Sequence, residues 1–173
     1  MIVNFLLNCG SRAATVRAIQ IRDVDLDGGV VFYRHTKNRK AQVIPLCSPM
    51  IAILREYGRY RGGEPTDYLF CTETGTQLTE NGLRQSIARY NMRRGVQKTS
   101  IHLFRHTFAR KYLIDCGGDA FTLQKLLGHS ALAMTKRYCA IYDADLTKNY
   151  DNFSPLAQMK ASSAKIKISA KGR

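Results

Sequence analysis

The chain has 173 residues, 27 Lys and Arg against 13 Asp and Glu, a formal charge of +14, and 45% hydrophobic residues. That is enough for about one domain with a real core, and the cationic excess favours a polyanionic partner held with salt-dependent affinity. Five scattered cysteines without a Cys-x-x-Cys pair argue against a disulfide framework or a zinc site, and an uncharged opening run, Met1–Ser11, is too short to span a bilayer and lacks the basic start of a signal peptide.

Ser11 is placed to cap a helix that starts at Arg12 and carries Val16 and Ile19 on one face. Asp25-Leu26-Asp27-Gly28-Gly29 breaks it. Val30–Tyr33 reads as a strand, Lys37-Asn38-Arg39-Lys40 as a turn, and Gln42–Pro45 as the returning strand. Ser48-Pro49 opens a helix with Ile51, Leu54 and Tyr57 inward, and Arg61-Gly62-Gly63-Glu64-Pro65 is a loop. Leu69-Phe70 is a short apolar segment, and Thr79 caps a helix through Arg89.

The spacing over His102–Ile114 predicts a helix whose stripe is Phe104, Phe108 and Tyr112 or Leu113, stopped by Gly117-Gly118. A shorter helix over Ala120–Leu127 is closed by Gly128, and a third begins after Ser130 and carries Tyr138. Beyond Pro155 the Ala/Ser/Lys-rich sequence has five positive charges and no acid, and reads as a disordered tail over 156–173. The fold class expected is mainly α with a small antiparallel β-hairpin or sheet. Reducing, cytoplasmic surroundings and no membrane partner fit the composition.

The region from His102 to Tyr138 holds residue types suited to chemistry on a DNA phosphate. Such chemistry without a metal needs fixed cations, because the transition state puts more charge on the phosphate oxygens. Arginine suits this, being always charged and able to grip two oxygens at once, and Arg12 and Arg105 are the candidate clamps. It also needs a nucleophile. A tyrosine of pKa near 10 is only about one part in a thousand phenolate at pH 7, a deficit of roughly 4 kcal/mol that neighbouring cations or a base must offset.

Tyr138, nine residues after His129 and directly behind Lys136-Arg137, is the first candidate, and Tyr142 its rival. A general acid for the leaving 5′ oxygen can come from a turn lysine, Lys37 or its competitor Lys40. His102 shares a helix face with Arg105 at i and i+3 and can accept the nucleophile's proton. His129, after the helix-ending Gly128, can donate to a phosphate oxygen. His106 reads as a buried, hydrogen-bonded partner pointing elsewhere, and His35 has no matching context.

Cys9-Gly10-Ser11-Arg12, Thr36-Lys37-Asn38 followed by Val43-Ile44-Pro45-Leu46, His102-x-x-Arg105-His106, Leu127-Gly128-His129-Ser130 and Thr135-x-x-Tyr138 occur in that order over roughly 3–142. In that order they resemble the catalytic domain of the tyrosine recombinases, the phage integrase family. The resemblance implies site-specific DNA recombination (integration or excision, as in a mobile genetic element). One strand is cut at a time through a 3′-phosphotyrosine bond, and the strands are rejoined without cofactor or metal.

It implies Tyr138 as nucleophile, Arg12, Arg105 and His129 as phosphate-binding groups, Lys37 as general acid and His102 as acid/base. It also implies double-stranded DNA as partner and a tetramer on DNA, with the free chain monomeric or weakly associated. Residues 1–155 would be the catalytic domain, without the DNA-clamping domain of about a hundred residues that the family normally carries first. Three residues after the first arginine, where the family usually has an acid, stands Thr15. A type IB topoisomerase-like enzyme and a catalytically silent DNA-binding protein of the same fold are the competing expectations.

Overall fold

The uncharged opening run folds as a helix, α1 (Ile2–Cys9), in the computed structural model, which describes residues 1–34, 41–98, 100–136, 138, 150, 154–157 and 159. Its Phe5, Leu6 and Cys9 enter the core, while Asn4 and Leu7 on the other side stay exposed. Gly10, with φ 59°, ends the helix and donates its N–H to the Leu6 carbonyl. A Cβ there would lie 2.4 Å from Phe108 Cδ1, so backbone and ring meet too closely for a side chain.

The next helix, α2 (Ala13–Ala18), has Arg12 rather than Ser11 at its N-cap. Ser11 is buried instead, its hydroxyl bonded to Cys9 Sγ at 2.8 Å and to the Tyr33 hydroxyl. That corrects the capping expectation: the hydroxyl finds partners inside the core and ties α1 to the sheet. A 3₁₀ turn (Ile21–Asp23) follows and leads into β1 (Val24–Asp25).

β1, β2 (Val30–Tyr33) and β3 (Gln42–Pro45) form an antiparallel sheet in that order. The register pairs Val31 with Ile44 and Phe32 with Val43. Alternation puts Val31, Tyr33 and Ile44 in the core, and Phe32 and Val43 on the exposed face. Both longer strands have the bounds read from the sequence; the two-residue β1 was too short to show a pattern.

In α3 (Ser48–Arg61) the buried residues are Met50 and Leu54, while Ile51 and Tyr57 are half-buried, a face turned by one position from that expected. Thr79 caps α4 (Glu80–Met92) by accepting the Gly82 N–H, and Leu83, Ile87 and Asn91 face inward. Then come α5 (Ile101–Arg110), its continuation in wider π turns (Lys111–Asp115), α6 (Ala120–Leu127) and α7 (Leu132–Lys136). α6 is capped by Asp119 and closed by Gly128 in the left-handed region.

α5 packs against α1, and its buried residues are Ile101, Arg105 and Ala109, at i, i+4 and i+8. Phe104 and Phe108 are half-buried and pack beside that stripe. The stripe read from the apolar residues was therefore displaced: an arginine occupies its middle. Residues Met1–Cys139 form one compact unit. In the other, Ala140–Arg173, the Ser154 N–H donates to the Tyr150 carbonyl, and residues 155–157 are helical. The expected tail after 159 lies outside the described residues, as does the turn at 35–40.

Candidate active site

Two helix ends meet at Arg105. An α-helix leaves its last carbonyls without intrahelical donors and carries partial negative charge there. Gly10 stands at the end of α1, and Leu127 is the last residue of α6. Arg105 is 3% exposed and donates from Nη1 to the Gly10 carbonyl at 2.8 Å and from Nη2 to the Leu127 carbonyl at 2.9 Å. Arg12 Nη1 reaches the same Leu127 carbonyl at 3.5 Å, so two guanidiniums gather on one carbonyl at the end of α6.

Among the described residues neither guanidinium has a carboxylate partner. Burial holds the Arg105 pKa below the usual arginine value, with Arg12 adding to the shift and Tyr138, which interacts with its guanidinium, opposing it. A buried cation compensated only by dipoles is the physical signature of a site suited to an anion.

His129 follows directly, because Gly128 turns the chain back at the end of α6. Its Nε2 lies 2.7 Å from Arg105 Nη2, and its Nδ1 lies 2.8 Å from Oγ1 of Thr135 in α7. A guanidinium can only donate, so Nε2 must accept. The proton is then on Nδ1 and is donated to Thr135, whose side chain is fully buried. Desolvation first, then the charges of Arg105 and Arg12, pull the His129 pKa down to about 4. At neutral pH His129 is a neutral acceptor toward Arg105; to donate a hydrogen bond from Nε2 it must first gain a proton.

α7 ends at Lys136, and Tyr138 lies beyond it in a turn, its N–H donated to the Thr135 carbonyl at 2.9 Å. The nucleophile candidate is thus carried just past the helix expected to hold it. Its ring stacks on His129 with centroids 6.1 Å apart and 6° between planes. It also rests against the cluster of Ala109, Leu123 and Leu127. His102, at the start of α5, is exposed and lines with Arg12, Ser11 and Arg84 a cavity of about 550 Å³. Desolvation, then His106, Arg105 and Arg12, lower its pKa.

The structure therefore brings Arg12, Arg105, His129 and Tyr138 together, with His102 beside Arg12. Lys37, Lys40, His35 and Tyr142 lie outside the described residues. Tyr33 is another tyrosine near Arg105, but it is buried, its hydroxyl is bonded to Ser11, and desolvation raises its pKa well above the usual value. Thr15 lines a different cavity, of about 250 Å³, together with Asp23 and Arg34. His106 departs from expectation. It is exposed rather than buried, because it lies one position past Arg105 on α5, and its ring touches both His102 and Tyr138. Thr135 was also missed as a partner of His129, since its separation of six residues follows no helical spacing.

Comparison with known proteins gives the family and the fold. The sequence profile of the phage integrase family matches residues 1–145. The chain belongs to that family. It is 33% identical over 152 residues to tyrosine recombinase XerC of Xanthomonas axonopodis pv. citri (strain 306), covering 87% of this chain and 49% of that protein. To tyrosine recombinase XerD of Staphylococcus haemolyticus (strain JCSC1435) it is 31% identical over 162 residues, covering 90% and 54%.

The fold matches the crystal structure of XerA recombinase with a TM-score of 0.77 at 29% identity, over 89% of this chain and 56% of that one. It matches the XerH site-specific recombinase bound to difH substrate, in a pre-cleavage complex, with a TM-score of 0.68 at 25% identity, over 80% and 41%. The mainly helical fold with a small antiparallel sheet is thus that of the tyrosine recombinases. The chain spans about half the length of the curated relatives it matches. No helix among the described residues is long and apolar enough to cross a membrane.

Proposed function

We propose that this chain is the catalytic domain of a site-specific DNA recombinase, cutting and rejoining one strand at a time through a 3′-phosphotyrosine intermediate. The observation that carries the reading is the pair of guanidiniums, Arg12 and Arg105, without carboxylate partners among the described residues and gathered on the end of α6 beside the phenol of Tyr138. An anion seated on them would have its phosphorus within reach of that phenol. Charge developing on its oxygens in the transition state would be met by groups already fixed in place.

In this reading Tyr138 attacks the phosphorus and its oxygen bonds to it, while the 5′ oxygen leaves and takes a proton from Lys37. His102, kept neutral by its surroundings, accepts the phenolic proton. An incoming phosphate changes His129: its negative charge opposes the effect of the two arginines, so the ring can take a proton and donate to a phosphate oxygen. Rejoining reverses these steps with the 5′ hydroxyl of a partner strand. Exchange between two duplexes requires copies of the protein to meet on double-stranded DNA, in a tetramer, and the basic charge of the free chain opposes association until DNA offsets it.

Tyr138→Phe tests the reading. On a suicide substrate with a bridging phosphorothiolate, the wild-type chain should form a covalent adduct in the presence of EDTA, since Arg12 and Arg105 supply the charge. Tyr138→Phe should form none and should bind DNA nearly as well, because only the attacking oxygen is lost. An adduct that persists in Tyr138→Phe and disappears in Tyr142→Phe would move the nucleophile and refute this assignment.

A further inference from the structure

His106 holds an unusual place. One turn apart on α5, His102 and His106 share a face, and their rings meet edge to face with centroids 4.8 Å apart at 76°. The His106 ring then meets the Tyr138 ring, again edge to face, at 5.1 Å and 64°. Tyr138 also stacks nearly parallel on His129. The phenol is therefore bracketed by two imidazoles presented from two different elements, α5 and the turn after α6.

We propose that His106 is a positioning residue for Tyr138, its ring setting the orientation from which the phenol attacks. Three observations support this. His106 is exposed, so its two aromatic contacts do little for the core. Tyr138 lies past the last residue of α7, so the side chains against its ring decide where the hydroxyl points. Edge-to-face contacts of this kind have directional preference, which apolar packing on Leu123 and Leu127 alone lacks. The inference rests on the role of Tyr138 proposed above, and its contact part can be read without DNA.

The variants His106→Phe, His106→Ala and His106→Gln separate the ring from its nitrogens. Single-turnover adduct formation should fall by about 10- to 100-fold in His106→Ala and His106→Gln, the range expected when a reacting group is misplaced by about 1 Å. His106→Phe should recover most of the rate, to within about threefold of wild type. DNA affinity and melting temperature should barely move in any of them. The defect should remain on a 5′-phosphorothiolate substrate, because it lies on the attacking side and not with the leaving group.

In the free protein, the ring carbons of isotopically labelled Tyr138 should shift in His106→Ala and stay near wild type in His106→Phe. Wild-type rates in His106→Ala would overturn the proposal. So would a His106→Phe as slow as His106→Ala, since a nitrogen would then be the working group, or a defect cured by the phosphorothiolate. If wild type forms no adduct through Tyr138 while the labelled ring still responds to His106, the functional reading fails and the contact stands. A ring unmoved in His106→Ala sinks the inference by itself.

Discussion

Thr135→Val separates the support of His129 from its contact with Arg105. The structure assigns the His129 proton to Nδ1, because Arg105 can only donate to Nε2, and directs it to Thr135 Oγ1 at 2.8 Å. Valine keeps the shape of threonine in a fully buried position and removes the accepting oxygen. Leaving a donor unsatisfied costs about 1–3 kcal/mol. His129 is only half-buried, so water can reach its ring, and the lower end, about 1 kcal/mol, is expected. For a chain of this size that lowers Tm by roughly 2–4 °C.

The decisive readout is the tautomer. In the wild type, the nitrogen shifts of His129 at neutral pH should report Nδ1 protonated and Nε2 bare. In Thr135→Val the preference should weaken, and adduct formation should slow because the ring is free to turn away from Arg105. Thr135→Ser, which keeps the oxygen, should retain the tautomer. A wild-type His129 protonated on Nε2 would mean that it does not accept from Arg105, and the electrostatic description of the site would have to be redrawn. A Tm unchanged to within about 1 °C would show that the hydrogen bond contributes nothing measurable.

The pH dependence has a definite sign. The His129 pKa is near 6.5 in the unfolded chain and about 4 in the folded one, so between these values the unfolded state binds more protons. Stability should be fully present above about pH 6.5 and should decline as pH falls toward 4; His102, shifted the same way, adds to it. Denaturation midpoints across that range check this, and stability that rises on acidification would contradict it. Separately, Gly10→Ala should destabilise by about 2–4 kcal/mol, from a left-handed backbone and a Cβ 2.4 Å from Phe108. It should also slow adduct formation, because the Gly10 carbonyl anchors Arg105; urea denaturation and single-turnover cleavage measure the two effects.

Elements governed by local rules were legible. The strands Val30–Tyr33 and Gln42–Pro45 are short segments carrying β-branched and aromatic residues on either side of a turn signal, and Gly128 closes α6 where a left-handed residue was needed. Thr79 caps α4 as its position implied. Features set by tertiary contact were not. α1 spans barely two turns, too short a run for a period to be read, and what holds Phe5, Leu6 and Cys9 inside is packing against α5. Ser11 satisfied the local rule for a cap, yet a buried partner 22 residues away, Tyr33, competed successfully for its hydroxyl.

The site divides along the same line. Its residue types could be read from order and spacing, but their relations could not, because these depend on helix ends remote in sequence. Arg105 sits in the middle of a buried stripe where hydrophobic periodicity would call for an aliphatic residue. That is tolerable only because the carbonyls of Gly10, 95 residues earlier, and Leu127, 22 later, point at it. No pattern within α5 contains that information. The same burial explains why His106 was misread. If Arg105 were the solvated residue, its neighbour on the helix would turn toward the core. With Arg105 inside, His106 is turned outward, to the surface where Tyr138 arrives. An arginine among core residues, followed by a histidine, is thus a stronger pointer to a built anion site than either residue taken alone.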